Sequence, residues 1–193
     1  MKKKELLYSL AEEYALGFLN KGREGWDVPH TRAVVYYAKL ITKSENQDLL
    51  VITTDARLHD IGYFGITEED AREYEKVKEA KEFHMEVGAR VARRFVDREE
   101  VAKILNNAQQ DRVVHLVWVH DRLEELKDLD EIILMEADTL GSIDVRRVKP
   151  TFDQEGRKKY LDGLHRRRKP IFKTDLGKEL LQKLIPKFEN YRD

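Results

Sequence analysis

The chain has 193 residues, enough for one domain with a substantial core, and its 41% hydrophobic content fits an ordinary soluble globule. Its 36 lysines and arginines nearly balance 37 aspartates and glutamates, which argues against wholesale binding to nucleic acid or anionic lipid and leaves room only for a local basic patch. There is no cysteine, so disulfides, thiolate metal sites and cysteine nucleophiles are excluded, and any metal must be held by histidine and carboxylate.

Residues 5–19 place Leu6, Leu7, Leu10, Tyr14 and Phe18 near one face, which predicts an opening amphipathic helix closed by the Asn20-Lys21-Gly22 turn. The lysines ahead of it precede an amphipathic stretch containing glutamate, not a signal-peptide core. No apolar run approaches the roughly 18 residues that span a bilayer. The expectation is a cytoplasmic protein without membrane contact. After the loop GREGWDVP comes His30, just beyond Pro29, a residue tolerated at the first helical position. Val34, Tyr37, Ala38 and Ile41 follow at helical spacing, so His30 shares the buried stripe, and taken alone it reads as a packed core histidine.

Ser44 and Gln47 have the spacing of a capping box for the next helix, which runs to the adjacent pair His59-Asp60. Leu49, Ile52, Thr53 and Ala56 set its inward face, and Gly62 suits the C′ position that ends it. Neighbours on a helix diverge by about 100°. An imidazole and a carboxylate therefore converge on one ion most easily where the helix is ending. Thr67, ahead of Glu68, Glu69 and Asp70, starts another long helix, which carries His84 and then the small residues Gly88, Ala89 and Ala92 that permit close helix approach. Asp97 and Glu100 signal a helix over 98–108.

Residues 113–119 (VVHLVWV) are ambiguous by period, and helix is preferred because nothing else reads as a partner strand. His120-Asp121 closes that run, and Asp130 caps a last core helix holding Ile132, Ile133, Met135, Ala137, Asp138 and Leu140. Beyond residue 150 the chain is more polar. LDGLHRRRKP reads as a basic turn, and Thr174 opens a closing amphipathic helix. Nothing marks a linker, a repeat or a low-complexity segment, so residues 1–193 are expected to form one all-α domain.

His30, His59, Asp60, His84, His120 and Asp138 thus fall at or near inward faces of different helices, with His115 and Asp121 as neighbours. They could meet only in the core of a bundle, a known host of two-metal sites. Imidazole suits Fe, Zn, Co or Ni, and carboxylates widen the choice to Mn and Mg. In order and context, with LHDIG at 58–62 and MEADTLGSIDV ending at 145, these residues resemble the HD superfamily of metal-dependent phosphohydrolases over about residues 26–146. That resemblance implies a helical bundle of the HD type with the segment 150–193 as an extension packed on it.

It also implies His30 as first ligand, His59 and Asp60 as the pair and Asp138 as the distant aspartate. HMEVGARVARRF resembles the family's His-x-x-x-Gly-Ala helix, and His120 stands 18 residues before Asp138, as in relatives that bind two metals. His84 and His120 are therefore added, with His115 as a rival for the place of His120. One departure is Ala33 where many members carry arginine three residues after the first histidine, with Arg32 beside it.

The implied chemistry is hydrolysis of a phosphate ester or nucleotide by water activated on one or two divalent ions (Mn, Fe, Co or Ni, with Mg also suitable). Asp60 would bridge the ions. His30, His59 and Asp138 would complete one site, and His84 with His120 the other. Lys78, Lys81 and the run Arg166-Arg167-Arg168-Lys169 are candidates for phosphate contacts. Two alternatives stay open: a two-iron oxygenase of the same superfamily, and a metal-stabilised regulatory module without turnover. The expected partner is a small phosphorylated molecule, and homo-oligomerisation is left open.

Overall fold

A computed structural model describes residues 2–64 and 74–192, with side chains described outside 65–82. The helix start expected at Thr67 and the side chains of Lys78 and Lys81 lie outside the described residues. Nine α-helices are described: α1 (Lys3–Leu19), α2 (Asp27–Ser44), α3 (Leu49–Leu58), α4 (Tyr74–Val96), α5 (Glu99–Ala102), α6 (Asn107–Val119), α7 (Leu129–Ile143), α8 (Gln154–Gly163) and α9 (Asp175–Glu189). Among the described residues no strand occurs. The domain is all-α, as the period of its apolar residues requires.

The bundle is built around α7, which is buried on nearly every side and packs on α2, α3, α6 and α9. A helix with apolar residues on most of its faces belongs at the centre of a core. Gly141 lets α2 come close: a Cβ there would stand 2.8 Å from Val34 Cγ2 and 3.1 Å from the Val34 nitrogen. That approach brings His30 on α2 alongside Asp138 on α7. The α3 helix packs between α1, α2 and α6, and α4 lies on α6 and on the 3₁₀ turn Ile61–Tyr63. Leu164, Phe172, Leu181, Leu184 and Phe188 from the C-terminal segment belong to the same hydrophobic core.

Several boundaries differ from the sequence expectations, each for a local reason. The buried stripe of α1 is Leu7, Ala11, Ala15 and Leu19, and Leu10, Tyr14 and Phe18 flank it. Ser44 ends α2 and does not cap α3. The cap is Asp48, whose carboxylate accepts from the Leu50 and Val51 nitrogens, a stronger acceptor for two otherwise unpaired donors. The helix expected over 98–108 is two: α5 stops at Ala102, and Asn106 with Gln109 forms a reciprocal box that starts α6. Asp128, paired with Glu131, caps α7 in place of Asp130. Pro29 sits inside the first turn of α2, which begins at Asp27. LDGLHRRRKP is no open turn: α8 passes into a π-helical turn, Leu164–Arg168, and then a 3₁₀ turn at Lys169–Ile171.

One polar tie holds the far end of α2 to the end of α7. The Tyr37 hydroxyl donates to Asp144 Oδ2 at 2.7 Å, and the Arg146 and Arg147 guanidiniums approach the same carboxylate at 2.9 and 3.2 Å. Burial would raise the Asp144 pKa, but the bonds from Arg146 and Tyr37 outweigh it and hold it below the ordinary value. A neutral amide keeps an acceptor for Tyr37 but removes the charge that Arg146 and Arg147 approach, so Asp144→Asn is expected to cost about 1–3 kcal/mol near neutral pH in urea unfolding. A depressed carboxylate stabilises the fold above its unfolded pKa and ceases to do so as pH falls through the folded one. The gap between wild type and variant should therefore close below about pH 4, and a gap that persists at pH 2 contradicts this account.

Candidate metal centre

Six side chains from five helices or their ends converge in the core. His30 lies on the first turns of α2. His59 and His120 are the C-cap residues of α3 and α6. The ends of the two helices thus deliver the imidazoles, as expected for His59 where backbone direction is free to change. Asp60 follows at the head of the 3₁₀ turn, and His84 and Asp138 come from within α4 and α7. All six are buried, from 0% exposure at His59 to 7% at Asp138.

The distances divide them into two sets. His30 Nε2 lies 3.3 Å from His59 Nε2, 3.1 Å from Asp138 Oδ1 and 3.4 Å from Asp60 Oδ2. His59 Nε2 is 3.5 Å from the same Asp60 oxygen and 3.8 Å from Asp138 Oδ1. On the other side, His84 Nε2 and His120 Nε2 are 3.2 Å apart and stand 3.6 and 3.7 Å from Asp60 Oδ1. Asp60 therefore turns one oxygen to each histidine pair.

Each set has the composition of a divalent-ion site, and the surroundings fit such an ion. His59 and His120 donate from Nδ1 to the carbonyls of Ala56 (3.1 Å) and Val117 (2.8 Å), which fixes the ring orientation and turns Nε2 of each toward the cluster. Tyr63 stacks on His84 with 3.9 Å between ring centroids, and Trp26 stacks on His30 at 5.5 Å. Around the donors, four carboxylates (Asp27, Asp60, Asp121 and Asp138) face two guanidiniums (Arg23 and Arg168). That leaves a formal deficit of positive charge that bound cations would make good. No other buried place among the described residues brings together so many donors.

The two arginines fix the carboxylates. Arg23, in the loop before α2, donates from Nε to Asp27 at 2.6 Å and from Nη2 to Asp60 Oδ2 at 2.9 Å. Gly22 makes the tight loop workable, since a Cβ there would lie 2.1 Å from Asp27 Oδ2. Arg168 bonds Asp138 Oδ2 and the Thr139 hydroxyl at 2.7 and 2.8 Å and pairs with Asp121. Both aspartate ligand candidates are thereby oriented, and Asp138 keeps Oδ1 for the histidines.

The electrostatics follow. Burial would raise the pKa values of Asp60 and Asp138, but His59 and Arg23 around the first and Arg168 and His30 around the second hold both well below the usual range. Burial also dominates at His59 and takes it down to about 4, so that its imidazole is neutral. At His120 burial is outweighed by Asp60 and Asp121, and the ring is pushed up to about 9. An ion bound there must displace that proton, so its affinity rises with pH.

Of the residues expected from sequence, His30, His59, Asp60, His84, His120 and Asp138 are together. His115 is not: it is half-exposed and bonds Glu131 at 2.8 Å, within the cap of α7. Arg166 and Arg167 are exposed and point away, whereas Arg168 turns inward. The wider π turn displaces successive side chains around the axis and selects the third arginine of the run. Arg32 is exposed beside Glu12. Arg23, Asp27, Tyr63 and the engagement of Asp121 were not expected. Only the crowding of Gly22 and Gly25 in the first loop hinted that it folds tightly, Gly25 having a φ of 71°.

A buried histidine and aspartate centre at the convergence of helices defines a class of metal-binding all-α domain. The family comparison narrows the class: residues 28–142 match the HD domain, more than half of the chain, and the protein belongs to the HD-domain family. That family consists mostly of metal-dependent phosphohydrolases. No curated protein and no solved structure matches the chain.

Proposed function

We propose that the protein is a metal-dependent phosphohydrolase of the two-metal kind, acting on a small phosphate ester or nucleotide in the cytoplasm. The observation that carries this reading is the division of Asp60, whose Oδ2 serves His30 and His59 while Oδ1 serves His84 and His120. His30, His59, Asp60 and Asp138 would hold one ion, and His84, His120 and Asp60 the other. Bound divalent ions supply Lewis acidity and a water acidic enough to ionise near neutral pH.

The chain's own groups prepare that chemistry. Asp60 and Asp138 stay ionised, and the neutral His59 offers Nε2. Arg23 and Arg168 prevent the carboxylates from rotating away, and preorganisation of this kind spares reorganisation during the reaction. Tyr63 and Trp26 wall His84 and His30 with apolar ring faces, lowering the local dielectric and strengthening the electrostatic interactions. The segment 150–193 is read as an extension whose contribution to the centre is Arg168.

Metal analysis with a panel of phosphate esters and nucleotides tests the proposal. The wild type reloaded with Mn or Fe should hold about two ions per chain, and the double variant His84→Ala, His120→Ala about one. Phosphate release should stop on chelation and return with added metal. A wild type that never exceeds one ion, or hydrolysis indifferent to chelator, overturns the proposal. Iron-dependent oxygen uptake without phosphate release would establish the oxygenase alternative instead.

A further inference from the structure

Two buried guanidiniums among the described residues are matched by pairs of acids, and a third, Arg57, is not. Arg23 and Arg168 each engage two carboxylates. Arg57, only 6% exposed, has no carboxylate within ion-pair distance among the described residues, and Glu12 influences it only at longer range. It donates to the Thr53 carbonyl and lies over the Tyr8 ring at 4.4 Å, and its Nε is buried without a hydrogen-bond partner. A buried charge without a bonded counter-ion is costly.

Arg57, on α3, lines a cavity of about 150 Å3 together with residues of α1 and α2, none of them from the metal centre. Lys39 lines it too, its Nζ 5.6 Å from the centroid of the same Tyr8 ring, so two cations meet at one end. Burial and then the repulsion of Arg57 lower the Lys39 pKa. The single acid in the wall, Glu12, is half-exposed, stands 3.8 Å from Arg32 and reaches Arg57 and Lys39 only through longer-range attraction. Thr31 contributes a buried hydroxyl that also lacks a hydrogen-bond partner. Leu16, Leu19, Val28 and Val35 supply the apolar remainder. Space of this size holds about one six-membered ring, and an apolar pocket with a few convergent polar groups is the usual form of a small-molecule site.

We propose that this cavity is a second ligand site, separate from the metal centre, which binds a small organic oxyanion: a carboxylate or phosphate group set between Lys39 and Arg57, on an apolar body about the size of one aromatic ring. The anion supplies the directly bonded counter-ion that Arg57 lacks among the described residues, and charge-assisted bonds of this type are the strong ones.

Calorimetric titration of the full, metal-loaded chain with benzoate, with benzylphosphonate and with neutral phenol tests the site and separates the carboxylate from the phosphate source. At least one of the two anions should bind, and phenol at least about tenfold more weakly, the loss expected for a charged hydrogen bond. Lys39→Gln should weaken the bound anion by about the same factor, and Glu12→Gln, which frees Arg32, should tighten it. Lys39 and Glu12 lie outside the metal centre, so metal content and phosphatase rate should stay unchanged in both variants. Failure of both anions to bind at millimolar concentration, equal binding of phenol, or affinity indifferent to Lys39→Gln overturns the proposal.

Discussion

Asp60→Ala is expected to remove metal-dependent phosphate release, by about 10⁴-fold or more, which corresponds to roughly 5 kcal/mol of transition-state stabilisation. Among the described residues Asp60 is the one carboxylate that faces both histidine pairs, so its loss opens both sets of donors at once. Metal content measured on the same preparation should fall with the rate. The fold should survive, because Arg23 keeps its two bonds to Asp27, and the far-UV circular dichroism and a cooperative melt report on that. Asp60→Asn provides a graded case: an amide retains one acceptor oxygen and can serve one pair, so a single ion is expected. Activity of Asp60→Ala within tenfold of wild type would sink the bridging role, whatever the metal content.

The second large effect is on stability. Gly62→Ala puts a Cβ 1.9 Å from the His84 carbonyl oxygen, 2.7 Å from its carbon and 2.8 Å from the Gly88 nitrogen. All three are backbone atoms of α4, so no side chain can turn aside and the helix itself must move. Overpacking against backbone is expected to cost about 3 kcal/mol, the upper end of the ordinary range, which for a chain of this length lowers Tm by about 10 °C. Because α4 carries His84, the ion held with His120 should be lost before the one held by His30, His59 and Asp138. Gly17→Ala is the control. Nothing lies within 4 Å of a Cβ at that position of α1, and the change should be neutral or stabilising by about 0.5–1 kcal/mol. A Gly62→Ala melt within 2 °C of wild type would show that the 3₁₀ turn and α4 are not locked together.

Gly62 also shows how a residue is legible in type and not in role. The sequence reading makes it a helix-ending C′ residue, but α3 ends at Leu58 and Gly62 lies within the 3₁₀ turn, where the absence of a side chain matters for a neighbour distant in sequence. A close approach between helices leaves no mark on either one's own period.

Local sequence determined the helical class, because apolar residues recur at helical spacing on α2, α3, α6 and α7 and no stretch offers a partner strand. It also determined which polar residues are anomalous: a histidine on an apolar stripe, and a His-Asp pair at a helix end, stand out against the hydrophobic pattern without any knowledge of contacts. What tertiary structure alone decided is how those residues meet and what orients them. His115 and His120 are both on or at the end of α6, and only packing against α7 and against α3 sends the first to Glu131 and the second to Asp60. Arg166, Arg167 and Arg168 are alike in sequence, and a π turn selects the last. Arg23 reaches Asp60 across 37 residues of chain. Propensity and period act over one or two turns, whereas the pairing of buried charges is settled by desolvation, which depends on every element that closes over them.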